Sequence, residues 1–216
     1  MTPADPEDFI RANTSRGFAP LVPEIELYLA SEITPIWQAT EDWLAVRGLA
    51  PPYWAFAWPG GQVLARHVLD NPELVAGKRV LDFAAGGGIA AIACARAGAT
   101  IVEAAEIDDL ARAAIRMNAE IGEACVTVPE GDVVGSACRW DVIMCGDICY
   151  EAPMTNHILP WLRDMARHAE VWIADPGRAY LPKDGLLTLQ RYLVPTTFEL
   201  EDRAAREVVL YCVLPG

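Results

Sequence analysis

The sequence predicts an α/β fold: a mostly parallel, seven-stranded sheet with helices on both faces and a C-terminal antiparallel hairpin. Three observations predict it. From residue 79 onward, short apolar runs alternate with longer alanine- and leucine-rich stretches, the rhythm of βαβ units. The first such run, Val80-Leu81-Asp82-Phe83, passes through glycines straight into a helical stretch, "AAGGGIAAIACARAGA". Near the C-terminus only "EDRAA" separates the last two apolar runs, a link too short for a crossover, so they pair antiparallel.

Residues 1–50 read as an N-terminal appendage, a cover on the substrate side, and residues 51–216 as the main domain. In the appendage, Ile25, Leu27 and Leu29 alternate with Glu26, Tyr28 and Ala30, the period of a short strand. Thr34-Pro35 supplies a cap and a first-turn proline for a helix over 35–47, which Gly48 stops. The aromatic, proline-broken loop "APPYWAFAWPGG" ends in Gly60-Gly61, which opens a helix through Leu69. The alternation then predicts strand 79–84, helix 88–97, strand 100–106, helix 109–121 and strand 125–129. It continues with strand 141–146, helix 155–167, strand 170–174, helix 184–193 and closing strands 195–201 and 206–214.

Composition excludes several classes. No apolar run reaches the roughly 18–20 residues of a membrane span, and the N-terminus lacks the basic and apolar regions of a signal. A soluble, cytoplasmic protein, acting as a monomer without membrane contact, is expected. Net charge is −13, which repels phosphate backbones, argues against nucleic acid and favours a basic, lysine-bearing partner. The six cysteines form no C-x-x-C pair and read as free buried thiols. His67, His157 and His168 show no ligand spacing, so no metal is expected.

Gly86-x-Gly88-x-x-Ala91 fits a dinucleotide fingerprint, with Glu106 about 20 residues on as a ribose ligand. Asp82 argues against a dinucleotide. At the C-terminal edge of its strand a carboxylate facing the cleft would repel a pyrophosphate, whereas it suits the ammonium and sulfonium of S-adenosylmethionine. Ala84 stands where a glycine is common, which is tolerable if its φ is negative. Glu106 is placed to accept from both ribose hydroxyls and Asp132, in "EGDV", from the adenine amino group. Trp58, Gly60, Ala84, Gly86, Gly88, Ile107 and Asp147 complete the cofactor set. Asp108 reads instead as the cap of helix 109–121.

The acceptor side follows from "VIMCGDICYE", in which Asp147-x-x-Tyr150 stands at a strand end. The [DN]-P-P-[YF] motif that grips planar base amines is absent there, and "APPY" at Ala50–Tyr53 is a decoy that precedes the cofactor strand. Asp147 would hold an amine and orient its lone pair, with Tyr150 orienting either partner. Trp54, Phe56, Trp58 and Tyr150 would wall a methylated ammonium by cation–π contact. Asp175 and Arg178, in "ADPGR", would overhang the cleft.

The terminal hairpin on a parallel sheet resembles the Rossmann-like class I methyltransferases, and D-x-x-Y resembles the seven-strand protein methyltransferases that modify lysine. "PYWAFAWPGGQ" and "DPGRAYLP", within a match over about residues 8–185, are similar to the electron transfer flavoprotein beta-subunit lysine methyltransferase family, bacterial branch. That resemblance implies transfer of methyl groups from S-adenosylmethionine to lysines of the flavoprotein beta subunit, leaving S-adenosylhomocysteine. A small-molecule N-methyltransferase of the same fold and a noncatalytic S-adenosylmethionine-binding module are the alternatives.

Overall fold

A computed structural model describes residues 5–31, 36, 50–196 and 204–216. Asp5 caps α1 (Pro6–Asn13), its carboxylate accepting the Glu7 and Asp8 amides at 3.0 and 3.2 Å. The hairpin of β1 (Ser15–Ala19) and β2 (Val22–Leu29) follows, antiparallel, with a register shift at Phe18/Ala19. Alternation revealed β2, whose Val22, Ile25 and Leu27 enter the main core. It could not reveal β1, because "SRGFA" has no period of its own and is held extended by its partner. The expected helix 35–47 lies outside the described residues.

The main sheet takes β3 (Arg79–Phe83), β4 (Ile101–Ala105), β5 (Val142–Gly146), β6 (Glu170–Asp175), β7 (Leu186–Pro195) and β8 (Ala205–Val213). Their order is β4-β3-β5-β6-β8-β7. The first four run parallel, and β8 runs antiparallel between β6 and β7. Crossovers are made by α3 (Ile89–Arg96), α4 (Asp109–Ile121) and α5 (Ala152–Met165), while α2 (Pro59–Asp70) precedes the sheet. The parallel strands are buried on both faces, as they must be beneath two helix layers. Val80, Val142 and Trp172 face the core under α2 and α3, whereas their neighbours Leu81, Ile143 and Val171 face Trp161 and Leu162 of α5.

Two expected elements differ. Residues 125–129 form no strand; a single parallel bridge, Thr127 to Glu103, marks the seventh position beside β4. Pro129 and Gly131 follow too closely for a ladder to extend. Residues 184–193 are no helix but most of β7, paired with β8 from Leu186↔Val213 to Pro195↔Ala205. "LLTLQRYL" suits a helix by composition, yet the free edge of β8 offers it a full set of backbone partners. The closing hairpin is antiparallel as expected, but its first strand is β7; most of the expected strand 195–201, and residues 201–203 of the turn after it, lie outside the described residues.

Among the described residues no helix is long and apolar enough to cross a membrane. All six cysteines are free, but only Cys94, Cys145 and Cys149 are buried; Cys125 is exposed, on the short link where a strand was expected.

Candidate active site

The C-terminal ends of β3, β4 and β5, with the loops beyond them, enclose a cavity of about 580 Å³, within the range that holds a drug-sized ligand. This is where open α/β sheets bind ligands, because the strand ends and helix N-termini converge there. Of the residues singled out in the sequence, Trp54, Trp58, Ala84, Gly86, Glu106, Ile107, Asp132, Asp147, Tyr150 and Arg178 line it. Gly60, Asp82, Gly88, Phe56 and Asp175 do not.

The glycine turn shapes one wall. Gly86 and Gly88 have φ of 55° and 80°, and Gly88 caps α3 in the left-handed region. Ala84 also has a positive φ, 53°, so the condition under which its methyl would be harmless is not met. Asp82 does not face the cavity. It is 3% exposed, and its Oδ2 accepts the Ala91 amide at 2.9 Å, which ties β3 to the first turn of α3. Burial pushes its carboxyl up to about 7. Asp82 shapes the turn from beneath it.

Glu106 stands at the end of β4, accepting from the Gly86 amide at 2.8 Å and the Ile107 amide at 3.1 Å. Burial raises its pKa, against the pull of those amides. A carboxylate has about four acceptor positions, and with the Asp108 amide also drawing on it Glu106 keeps room for a hydroxyl donor. Asp132 accepts the Val134 amide at 2.9 Å, and its Oδ2 lies 3.2 Å from His157 Nε2. His157, which its position in the sequence left without a role, is thus a lining residue. Only the folding of α5 over the Asp132 loop brings it there. Asp108 caps α4 as expected, accepting the Leu110 amide at 2.6 Å.

Across the cavity lies an aromatic cluster. Tyr53 packs on Tyr150 with ring centroids 5.3 Å apart, and Trp58 sits edge-on to Tyr53 at 5.9 Å and to Phe56 at 5.8 Å. Tyr53, in the decoy "APPY", is therefore a lining residue as well. Trp54 is 2% exposed and belongs to a buried cluster with Ile10, Leu110 and Ala111.

Asp147 joins three segments. Its Oδ2 accepts the Gly60 amide at the start of α2 at 2.5 Å, and its own amide donates to Ala174 O of β6 at 3.1 Å. Its Oδ1 accepts from Arg178 Nε at 3.0 Å and Nη2 at 2.7 Å. Burial lifts the Asp147 carboxyl to about 6 even though Arg178 pulls it down. Asp175 stays outside the cavity and accepts the Gly177 and Arg178 amides at 2.7 and 2.6 Å, shaping the turn that carries Arg178.

Glu106, Asp108, Asp132, Asp147 and Glu151 give the cavity five carboxylates. Arg178 is the only lysine or arginine among its described lining residues. Carboxylate acceptors for hydroxyl and amino groups, beside apolar Ile107 and Val133 and in an anionic field, fit a cationic nucleoside such as S-adenosylmethionine. They suit a pyrophosphate poorly.

Residues 64–152 match the family described as ribosomal protein L11 methyltransferase. The electron transfer flavoprotein beta subunit lysine methyltransferase of Xenopus laevis is 38% identical, over 94% of this chain and 82% of its own length. Its Danio rerio counterpart is 38% identical over 81% of this chain and 69% of its own. Among solved structures, magnesium protoporphyrin IX methyltransferase from Synechocystis PCC 6803 with bound S-adenosylmethionine superposes with a TM-score of 0.53. It covers 85% of this chain and 100% of its own at 17% identity, a likeness of fold.

Proposed function

The chain belongs to the electron transfer flavoprotein beta subunit lysine methyltransferase family, and from that premise we propose that its substrate is the beta subunit of an electron transfer flavoprotein. It is an S-adenosylmethionine-dependent protein-lysine methyltransferase of class I fold. The single observation that carries the substrate-side reading is the acid-rich cavity walled by Tyr53, Trp58 and Tyr150. In our reading the protein acts as a cytoplasmic monomer, with residues 1–50 covering the substrate side.

S-adenosylmethionine, when bound, supplies a methyl group already activated on a sulfonium. Glu106 would accept from the ribose hydroxyls, and Asp132 from the adenine amino group. Trp58, Ile107 and the turn through Ala84, Gly86 and Gly88 would enclose the cofactor, with Asp82 and Gly60 acting from behind that wall. A lysine side chain reaches the cavity as an ammonium, with a reference pKa of about 10.4. It must release a proton before its lone pair can attack, and water entering with the acceptor takes it. Asp147 fixes the direction of the amine, and Tyr150 forms the wall behind it. Burial pushes the Tyr150 hydroxyl up to about 12, so it stays protonated and serves as a donor. Each aromatic face adds about 0.5–2 kcal/mol for a partly methylated ammonium.

Incubation with tritiated S-adenosylmethionine tests the reading. Label should appear on the beta subunit of purified electron transfer flavoprotein and map to lysine by mass spectrometry. Label confined to a metabolite pool would instead mean a small-molecule acceptor, and label on neither a noncatalytic binding module.

A further inference from the structure

We propose that Arg178 is a positioning residue that balances the charge of Asp147, so that an acceptor amine entering the cavity meets a carboxylate already paired and is free to arrive neutral. The proposal rests on the lysine-methyltransferase reading for its acceptor and on geometry for its parts.

Two guanidinium nitrogens of Arg178 donate to one oxygen, Asp147 Oδ1, at 3.0 and 2.7 Å. The other oxygen is taken by the Gly60 amide at 2.5 Å. Three donors therefore converge on a carboxylate that is 7% exposed. The guanidinium also lies over the indole of Trp58, 5.6 Å from the ring centroid. Asp175 fixes the turn beneath it through the Gly177 and Arg178 amides. The Tyr180 amide donates to Cys149 O at 3.0 Å, joining the Arg178 turn to the loop that carries Asp147. Arg178 is thus held on several sides at the mouth of the cavity it lines.

The consequence is electrostatic. A buried, unbalanced carboxylate beside the acceptor would either take up a proton itself or hold the incoming lysine as its ammonium partner. An ammonium has no lone pair to form the new N–C bond. A guanidinium keeps its charge throughout the accessible pH range, so the Asp147–Arg178 pair is neutral wherever Asp147 is ionised. The amine can then lose its proton to water before attack, while Asp147 keeps the acceptor position with which it directs the N–H. The other groups facing the pair leave this balance to Arg178. Cys149, on the same loop, has its thiol pushed up to about 12 by burial, and Tyr150 is likewise raised to about 12. From β6, Asp175 adds a negative charge that opposes ionisation of Asp147. From α2 and the loop before it come the Gly60 amide and the Trp58 ring, while Tyr53, Glu151 and Glu106 act on Tyr150.

The test compares wild type with Arg178→Gln and Arg178→Lys. Carbon-13 NMR of labelled aspartate carboxyls, with the Asp147 signal assigned by its loss in Asp147→Asn, needs no acceptor. Loss of the guanidinium should move the Asp147 midpoint up by at least one pH unit, and lysine should restore most of the shift. Single-turnover methylation of the purified flavoprotein should show its acid limb displaced upward by a similar amount in Arg178→Gln, again with recovery in Arg178→Lys. S-adenosylhomocysteine affinity by calorimetry should change less than threefold in either variant, which shows the folded cavity. An unchanged Asp147 midpoint, or a rate lowered by the same factor at every pH, would reduce Arg178 to a loop brace and overturn the proposal. If wild type does not methylate the flavoprotein, the substrate reading fails by itself and the carboxyl titration alone decides the role of Arg178.

Discussion

Ala84 and Asp147 carry φ of 53° and 55° at the ends of neighbouring strands β3 and β5. A left-handed alanine costs about 1–2 kcal/mol, of which a glycine returns roughly half after its extra chain entropy. Ala84→Gly should therefore raise stability by about 0.5–1 kcal/mol, read as a small rise in Tm with S-adenosylhomocysteine affinity retained. Asp147 tolerates the same conformation better, since aspartate is enriched there, and its carboxylate has work at the site. Asparagine would set an NH2 against either the Gly60 amide or the Arg178 guanidinium, donors that now point at the two oxygens. Asp147→Asn should lower turnover about a hundredfold, or about 2.7 kcal/mol of barrier, with cofactor affinity nearly unchanged. Tyr150→Phe should cost less than Tyr150→Ala if the ring is the working part. Calorimetry and single-turnover rates decide both, and an Asp147→Asn enzyme at normal turnover would remove Asp147 from the acceptor site.

At the scale of elements, the site depends on how closely α2 approaches β5 and β6. A Cβ on Gly60 would lie 2.3 Å from Ala174 O, 2.6 Å from Asp147 Oδ2 and 2.8 Å from Asp147 N. Two of those atoms are backbone and cannot rotate away. Gly60→Ala should separate the start of α2 from both strand ends, costing about 3 kcal/mol, at the upper end for overpacking, and disrupting the Asp147 pairings. Denaturant titration reads the first effect and turnover of the surviving folded fraction the second. The amphipathic α4 makes a similar junction on the other side. Its buried Asn118 donates to Gly87 O and accepts the Tyr28 amide, each at 2.8 Å, joining the glycine turn to β2.

For the whole molecule, buried carboxyls set the pH dependence of stability. The folded-state pKa of Asp82 is raised from 3.8 to about 7 and that of Asp147 to about 6. Between about pH 4 and 7 the folded chain therefore holds protons that the unfolded chain has released. The stability so gained is complete below the ordinary carboxyl range and is lost as pH rises through 6 to 7. Burial lowers the pKa of His67, which acts in the opposite sense below pH 6.5, so the cleaner comparison lies above that pH. Tm should be higher at pH 6.5 than at pH 8. Asp82→Asn, which keeps an oxygen for the Ala91 amide, should flatten that slope and raise stability at pH 8. A slope unchanged in the variant would mean that other groups, in a chain of net charge −13, set it.

The class of fold and the place of the cofactor turn were legible in the sequence because both depend on local signals. Two-faced apolar strands at βαβ spacing require a parallel sheet, and glycines between β3 and α3 require a ligand turn at its edge. Helix α4 could be placed to the residue because its cap, Asp108, and its apolar period both lie within the segment itself. Long-range partners decided the rest. β1 and β7 are strands because another strand pairs with them, and neither carries a period that says so. His157 reaches Asp132 across 25 residues and Arg178 reaches Asp147 across 31, distances at which sequence spacing carries no geometry. Asp82 and Ala84 show the same limit at single residues. Sequence placed both at the strand end, but only the packing of α3 on β3 turned one carboxylate inward and set one φ positive.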